Sequence, residues 1–315
     1  MCVMIMMLLS DLPSPNGAES LSAAPRRRQP GVSRWSRSAY ASVRSPGSSG
    51  TRTRLEGRRC VVEIKTKGEI EAIRRAGQVV AETLDSVRAH ALARTRLSEL
   101  DDLARAVLKR AGAQSPFLGY KPAFAPVPFP AVICASINDA ALHGIPGRRR
   151  LAAGDLVSID CGAILDGWVA DAAISFTVGP PGADDERLIG AATAALRAGI
   201  GAAVAGARIG DISAAIGAVG RAAGYGINTD FGGHGVGRTM HESPSVPNEG
   251  VPGRGMMLRP GLVVAIEPWF MAGGNDKYQI DDDGWTIRSA DGSRTAHVEH
   301  TIAVTADGPV VLTAL

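Results

Sequence analysis

The sequence predicts an α/β (α+β) domain built of two related halves, with the functional site at their junction. Three observations carry this. Helical periodicity opens the ordered region, a helix pair is echoed 112 positions further on, and each pair precedes strand-rich sequence bearing isolated carboxylates or histidines.

The first helix begins near Ile70, where Ile70, Ile73, Ala76, Val79, Val80, Leu84 and Val87 recur at threes and fours. A second follows Arg96-Leu97-Ser98-Glu99, with Ser98 as its expected N-cap and Gly112 as its close. Leu97, Glu99, Leu100, Val107, Lys109, Ala111 and Gly112 match Ile209, Asp211, Ile212, Val219, Arg221, Ala223 and Gly224. Internal duplication is the simplest reading, and chance likeness between two amphipathic helices is the alternative.

Two strands flank Ile164-Leu165-Asp166-Gly167, since Asp-Gly is a strong turn signal. One ends in Asp160 and the other carries Asp171. A four-residue turn would set them directly across an antiparallel pair, roughly 4.5–5.5 Å apart at Cβ. Carboxylates that close resist joint ionisation unless a cation lies between them. The competing reading is two solvated strand acids.

Phe231-Gly232-Gly233-His234-Gly235-Val236-Gly237 removes side chains around one imidazole, letting backbone approach a metal or substrate closely. His241 follows it, although a lone Gly-His-Gly is a common turn. The apolar run Leu262 to Ile266 ends in Glu267, where an unpaired carboxylate is costly and calls for a metal, an Arg or a raised pKa. Glu299 sits in a similar strand, with His297 and His300 expected beside the site or on the surface. Together Asp160, Asp171, His234, Glu267 and Glu299 would make an oxygen-rich site for two divalent ions, with His143 and His241 framing it. That set points to metal-assisted hydrolysis.

Composition agrees with a globular enzyme: 45% hydrophobic and 21% charged over 315 residues. The net charge of +3 is uneven. Residues 1–60 hold ten Arg and only Asp11, Glu19 and Glu56 as acids, a net of +7, leaving −4 for the rest. Residues 10–59 are rich in Ser, Pro, Gly and Arg and cannot bury enough apolar surface to offset chain entropy, so the segment 1–61 is expected to be a disordered extension. It serves either as an arm for ribosomal or other RNA phosphates or as untranslated sequence ahead of a start at Val61 or Val62. The catalytic domain is then 62–315. Cys2, Cys60, Cys134 and Cys161 lack metal-type spacing, which favours reduced thiols and a cytoplasmic location. The apolar run Met1–Leu9 has no basic residue before it, and no stretch reaches the ~18 to 20 apolar residues of a membrane span.

These segments resemble the type 1 methionine aminopeptidases. The likeness rests on Cys134 to Asp139 running to His143-Gly144-Ile145-Pro146, the Asp160/Asp171 hairpin, Gly233-His234-Gly235-Val236-Gly237 with His241-Glu242, Ile266-Glu267-Pro268, Asp283-Gly284-Trp285-Thr286 and Val298-Glu299-His300-Thr301. It spans about residues 64–315. It implies the pita-bread fold, an antiparallel sheet flanked by helices in two pseudo-symmetric halves with the metal site at the centre. It further implies removal of the initiator methionine from nascent polypeptide N-termini when the second residue is small, through a hydroxide activated by two divalent ions (Co, Mn, Fe or Zn). By the same resemblance Asp160, Asp171, His234, Glu267 and Glu299 are ligands, Asp160 and Glu299 bridging. Glu267 is also the general base, His241 stabilises the oxyanion and His143 contacts the scissile amide nitrogen. Tyr120, Cys134 and Trp285 form the methionine pocket with Phe117 and Phe129. A monomer with no membrane attachment is expected.

The chain departs from the family pattern at Val169-Ala170-Asp171, where His-Gly-Asp is usual, at Met240 and Phe117, and in a longer segment 121–130. An Xaa-Pro aminopeptidase or prolidase would share the metal set but normally carries a large folded N-terminal domain. A type 2 enzyme needs a long insertion between His241 and Glu267. A non-catalytic binding module of the same fold would have lost ligands that are all present here.

Overall fold

The computed structural model describes residues 62–314. The basic segment 1–61 lies outside the described residues, as do the readings made of it.

Thr66 caps the first helix, α1 (Lys67–His90), because its hydroxyl accepts from Glu69 N while the Glu69 carboxylate accepts from Thr66 N at 2.8 Å. The second, α2 (Leu97–Arg110), starts two residues earlier than its sequence suggests. Ser98 is not its N-cap. Glu99 reaches back to Arg96 N at 3.0 Å, fixing Arg96 as the cap, and Ser98 N donates to Gly147 O instead.

Four strands follow: β1 (Ile133–Ile137), β2 (Ala140–Leu142), β3 (Leu156–Leu165) and β4 (Trp168–Thr177). The second half repeats the plan with α3 (Ala183–Ala202) and α4 (Ile209–Ala222). After these come β5 (Gly226–Ile227), β6 (Gly233–Gly235), β7 (Glu242–Val246), β8 (Val263–Ile266) and β9 (Trp269–Met271). The chain closes with β10 (Tyr278–Ile280), β11 (Ile287–Ser289), β12 (Thr295–His297), β13 (Glu299–Thr305) and β14 (Gly308–Val311).

The echo read from sequence is structural. The helices α2 and α4 are each 14 residues long and begin 112 positions apart. Arg96 bridges to Arg150 as Arg208 bridges to Met257, and Asp211 caps Arg208 N at 2.7 Å as Glu99 caps Arg96. Like elements therefore enter the sheet from equivalent directions.

The central sheet is antiparallel, in the order β1-β3-β4-β13-β8-β6-β7, with β14 beside β13. Its seam is β4 against β13, where Glu299 faces Ala173. One apolar cluster joins α1 and α2 to the β1-β3-β4 side, with Ile73, Val80, Leu100 and Ile159 fully buried. A second joins α3 and α4 to β8 and β13 through Leu188, Ile212, Ile216, Val264 and Ile302. Burying a large aliphatic side chain contributes about 1.5–3 kcal/mol, so each half is held mainly by its own helix pair. Among the described residues, no helix is long and apolar enough to cross a membrane.

Candidate metal centre

The β3–β4 hairpin turns on two residues, Asp166 (φ 52°) and Gly167 (φ 74°), with Leu165 paired to Trp168. Positive φ at both positions is the two-residue turn that matches strand twist. This corrects the expected register. Asp160 faces Ala173 and Asp171 faces Gly162, so the two acids lie diagonally on one face and not directly opposite.

The same register builds the site. Cys134, Asp160, Ala173 and Glu299 form one row across β1, β3, β4 and β13. Strand alternation puts Asp171 on that face two residues from Ala173, and the methyl of Ala173 leaves the space between the acids open. Thr301 Oγ1 accepts from Asp171 N at 3.0 Å and donates to Asp171 O at 2.8 Å, tying the ligand strand to β13.

Glu267 follows β8, whose Ile266 faces His300, so the next position lies alongside Glu299. His234 comes from β6, where a Cβ on Gly233 would strike the Ala265 carbonyl and Val246; only glycine lets this strand approach so closely. His234 Nδ1 lies 3.0 Å from Gly235 O and its Nε2 3.6 Å from Glu267 Oε1. A ring N–H given to a carbonyl leaves the other nitrogen as a ligand.

All the expected ligand, catalytic and methionine-pocket residues line one cavity. Asp160, Asp171, His234, Glu267 and Glu299 line it with His143 and His241, together with Phe117, Tyr120, Phe129, Cys134, Met240 and Trp285. Among the described residues, Oδ1 of Asp160, Oδ1 of Asp171 and Oε1 of Glu299 are buried without a hydrogen-bond partner, and no Lys or Arg lines the cavity. Burial, and then the charge on Asp171 and Glu267, pushes Asp160 well above the usual carboxylate range. Glu299 is pushed up likewise, by burial and then Asp171, Glu267 and Asp160. Burial raises Asp171 to about 7, and burial followed by the Asp171 charge raises Glu267 to about 8. Four converging acids, three of them with an orphaned oxygen, fit divalent cations. Asp171, His234 and Glu299 offer atoms all within 4.8 Å of one another.

Of the two places expected for His297, beside the site or on the surface, it takes the first: it is buried, with Nε2 3.7 Å from Glu267 Oε2 and 3.9 Å from Glu299 Oε2. His300 points away, its Nδ1 2.9 Å from Thr313 Oγ1. One feature went unread in the sequence, a largely buried ion pair behind His241. Lys65 Nζ donates to Glu242 Oε2 at 2.6 Å, while Glu242 Oε1 accepts from Arg238 N and Thr239 N. This clamps the turn that presents His241, whose ring packs 4.3 Å from that of His234 and 5.4 Å from Tyr120. No local pattern connects Lys65 to Glu242.

The Metallopeptidase family M24 model matches residues 71–306, most of the described chain. The chain belongs to metallopeptidase family M24. Within that family it lies among the methionine aminopeptidases. It is 50% identical to "Methionine aminopeptidase 1" of Mycobacterium tuberculosis over 267 residues, covering 82% of this chain and 97% of that protein. It is 41% identical to "Methionine aminopeptidase" of Aquifex aeolicus, covering 81% and 99%. The solved methionine aminopeptidase of Thermotoga maritima superposes with a TM-score of 0.77 at 35% identity, over 81% of this chain and all of that one. A prolidase from Pyrococcus furiosus superposes at 0.62 with 23% identity and is covered over 65% of its length, a likeness of fold. The pita-bread architecture, shared across the family, is the fold of this chain.

Proposed function

We propose that this protein removes the initiator methionine from nascent polypeptides whose second residue is small, with Asp160, Asp171, His234, Glu267 and Glu299 holding two divalent ions. The convergence of these five side chains, three with an orphaned oxygen and none matched by a Lys or Arg among the described residues lining the cavity, supports the reading. When bound, the ions would supply Lewis acidity and a hydroxide nucleophile near neutral pH. A set of four carboxylates and one imidazole suits Mn²⁺, Fe²⁺, Co²⁺ or Zn²⁺.

The remaining chemistry belongs to the chain. Asp160 and Glu299 flank Ala173 in the row and would be the two carboxylates shared between the ions. Glu267 takes the proton of the attacking water and returns it to the leaving amine. His241 is held below its ordinary pKa first by burial and then by His234 and His143, so it stays a neutral hydrogen-bond donor to the developing oxyanion. Burial lowers His143 to about 4, and its Nδ1 has no partner; it is free to contact the scissile amide nitrogen. Tyr120, Cys134 and Trp285, with Phe117 and Phe129, receive the methionine side chain. Burial, and then Asp160, pushes the Cys134 thiol up, so it acts as a neutral apolar wall.

We read the catalytic domain as 62–315, acting as a cytoplasmic monomer on chains leaving the ribosome, with the arginine-rich segment 1–61 as a phosphate-seeking arm. Paired peptides test the activity. Met-Ala-Ser should lose its methionine in a chelator-sensitive way while Ala-Pro-Ser stays intact. Cleavage of Ala-Pro-Ser would move the protein to the Xaa-Pro class, and cleavage of neither across several metals would leave a binding module.

A further inference from the structure

We propose that Phe124, on the segment 121–130, sets the size limit on the substrate's second residue. This rests on the reading above, in which His143 meets the scissile amide nitrogen and the second residue follows directly beyond it.

The segment is an excursion closed at its base. Phe129 N donates to Tyr120 O and Gly119 N to Phe129 O, each at 2.8 Å, so the residues between leave and rejoin a paired stem. Its crest is fixed from the opposite side. Trp285 Nε1 donates to Val127 O at 2.9 Å, and Pro126 packs where a Cβ on Gly284 would stand. Pro122, Pro126, Pro128 and Pro130 fix φ at four positions, so little freedom remains to be lost. Among these anchors Ala125 is buried, while Phe124 is 46% exposed.

A large apolar ring left half in water on a pinned loop is explained by what it faces. The Phe124 ring lies nearly parallel to His143, 18° between planes with centroids 6.3 Å apart. It meets Phe231 edge-on at 5.9 Å and Trp285 edge-on at 5.6 Å. Phe231 in turn meets His143 at 5.7 Å and Tyr278 at 5.6 Å. Phe124 and Phe231 stand outside the cavity lined by the ligands, yet touch two of its lining residues, His143 and Trp285. They form an aromatic wall on the far side of the imidazole that contacts the amide. A side chain on the residue after methionine, leaving the amide beside His143, has to pass the edge where this wall packs on the imidazole. Interlocking edge-to-face pairs resist being pushed apart, so a branched or long second residue is excluded by packing rather than by charge.

The test compares kcat/KM for Met-Ala-Ser, Met-Val-Ser and Met-Leu-Ser on metal-loaded wild-type enzyme and on Phe124→Ala, Phe124→Leu and Phe124→Trp. The quantity read is each peptide's kcat/KM relative to Met-Ala-Ser within one variant, so a general change in activity cancels. For Phe124→Ala the Met-Val-Ser ratio should rise at least about tenfold, the scale of one or two methylenes in an apolar pocket. Phe124→Leu should raise it less, and Phe124→Trp should lower it. Ratios within twofold of wild type in all the variants would overturn the proposal, and Phe124→Leu and Phe124→Trp decide it if the alanine variant fails to fold. Wild-type enzyme that leaves Met-Ala-Ser intact would remove the functional reading and the proposal with it, whereas unchanged ratios on an active enzyme remove the proposal alone.

Discussion

Glu299→Gln should lower turnover by roughly 10³ or more while leaving the metal-free protein at least as stable as wild type. The two effects separate a ligand from a structural residue. Glu299 is buried in the row with Asp160, burial and then Asp171 and Glu267 push its proton affinity up, and among the described residues Oε1 has no partner. Without ions this carboxylate only adds to a repulsive cluster, and a neutral amide of the same shape relieves it. With ions present it would be one of the carboxylates that hold them. Losing several kcal/mol of charge stabilisation in the transition state, at about 1.4 kcal/mol per tenfold, gives the expected loss of rate. Heat denaturation with and without Mn²⁺ reads the other half: wild type should gain stability on adding metal and Glu299→Gln should gain much less. Turnover within tenfold of wild type would remove Glu299 from the centre.

His241→Ala should reduce turnover by roughly 10² to 10³, the usual cost of losing an oxyanion donor, with bound metal unchanged. The imidazole packs against His234 but belongs to neither metal-capable cluster. Its turn is clamped from behind by Lys65, Glu242 and the amides of Arg238 and Thr239, so truncating the ring leaves the ligands where they are. The pH profile adds a second check. A histidine whose pKa is pushed down by burial and by neighbouring imidazoles stays neutral from weakly acid to alkaline pH, so no limb of the wild-type profile should belong to it. Metal loss in parallel with activity would make His241 a supporting ligand instead. Near-normal turnover would take it out of the mechanism.

Much of this site could be read from sequence because its candidate ligands interrupt or border apolar strand sequence. Asp160, Glu267 and Glu299 each stand where an apolar run meets a charge it cannot bury alone, and His234 stands where glycine clears a path. The duplicated helices were legible because capping and apolar spacing are local properties, repeated intact from Leu97 to Ile209. Register was harder. An Asp-Gly turn marks the hairpin, but whether two or four residues form it depends on Asp166 accepting a positive φ, and that choice moved Asp171 from directly opposite Asp160 to the diagonal. Ser98 misled because the cap of α2 comes from a side chain three residues on, reaching back to Arg96. Lys65 with Glu242, and Phe124 with His143, are long-range contacts that no local pattern encodes.

The central claim is that four carboxylates and one imidazole exist here to hold two divalent ions. The most direct measurement is a calorimetric titration of the metal-free protein with Mn²⁺ at pH 7.5 and pH 6, with bound metal counted by elemental analysis. Ligands must shed protons to bind. Because Asp171 and Glu267 sit near 7 and 8 without metal, protons compete more strongly at the lower pH and affinity should fall on acidification. Two ions per chain, with weaker binding and greater proton release at pH 6, is the predicted result. A single ion at saturation, or uptake that Glu299→Gln leaves unaltered, would contradict the account.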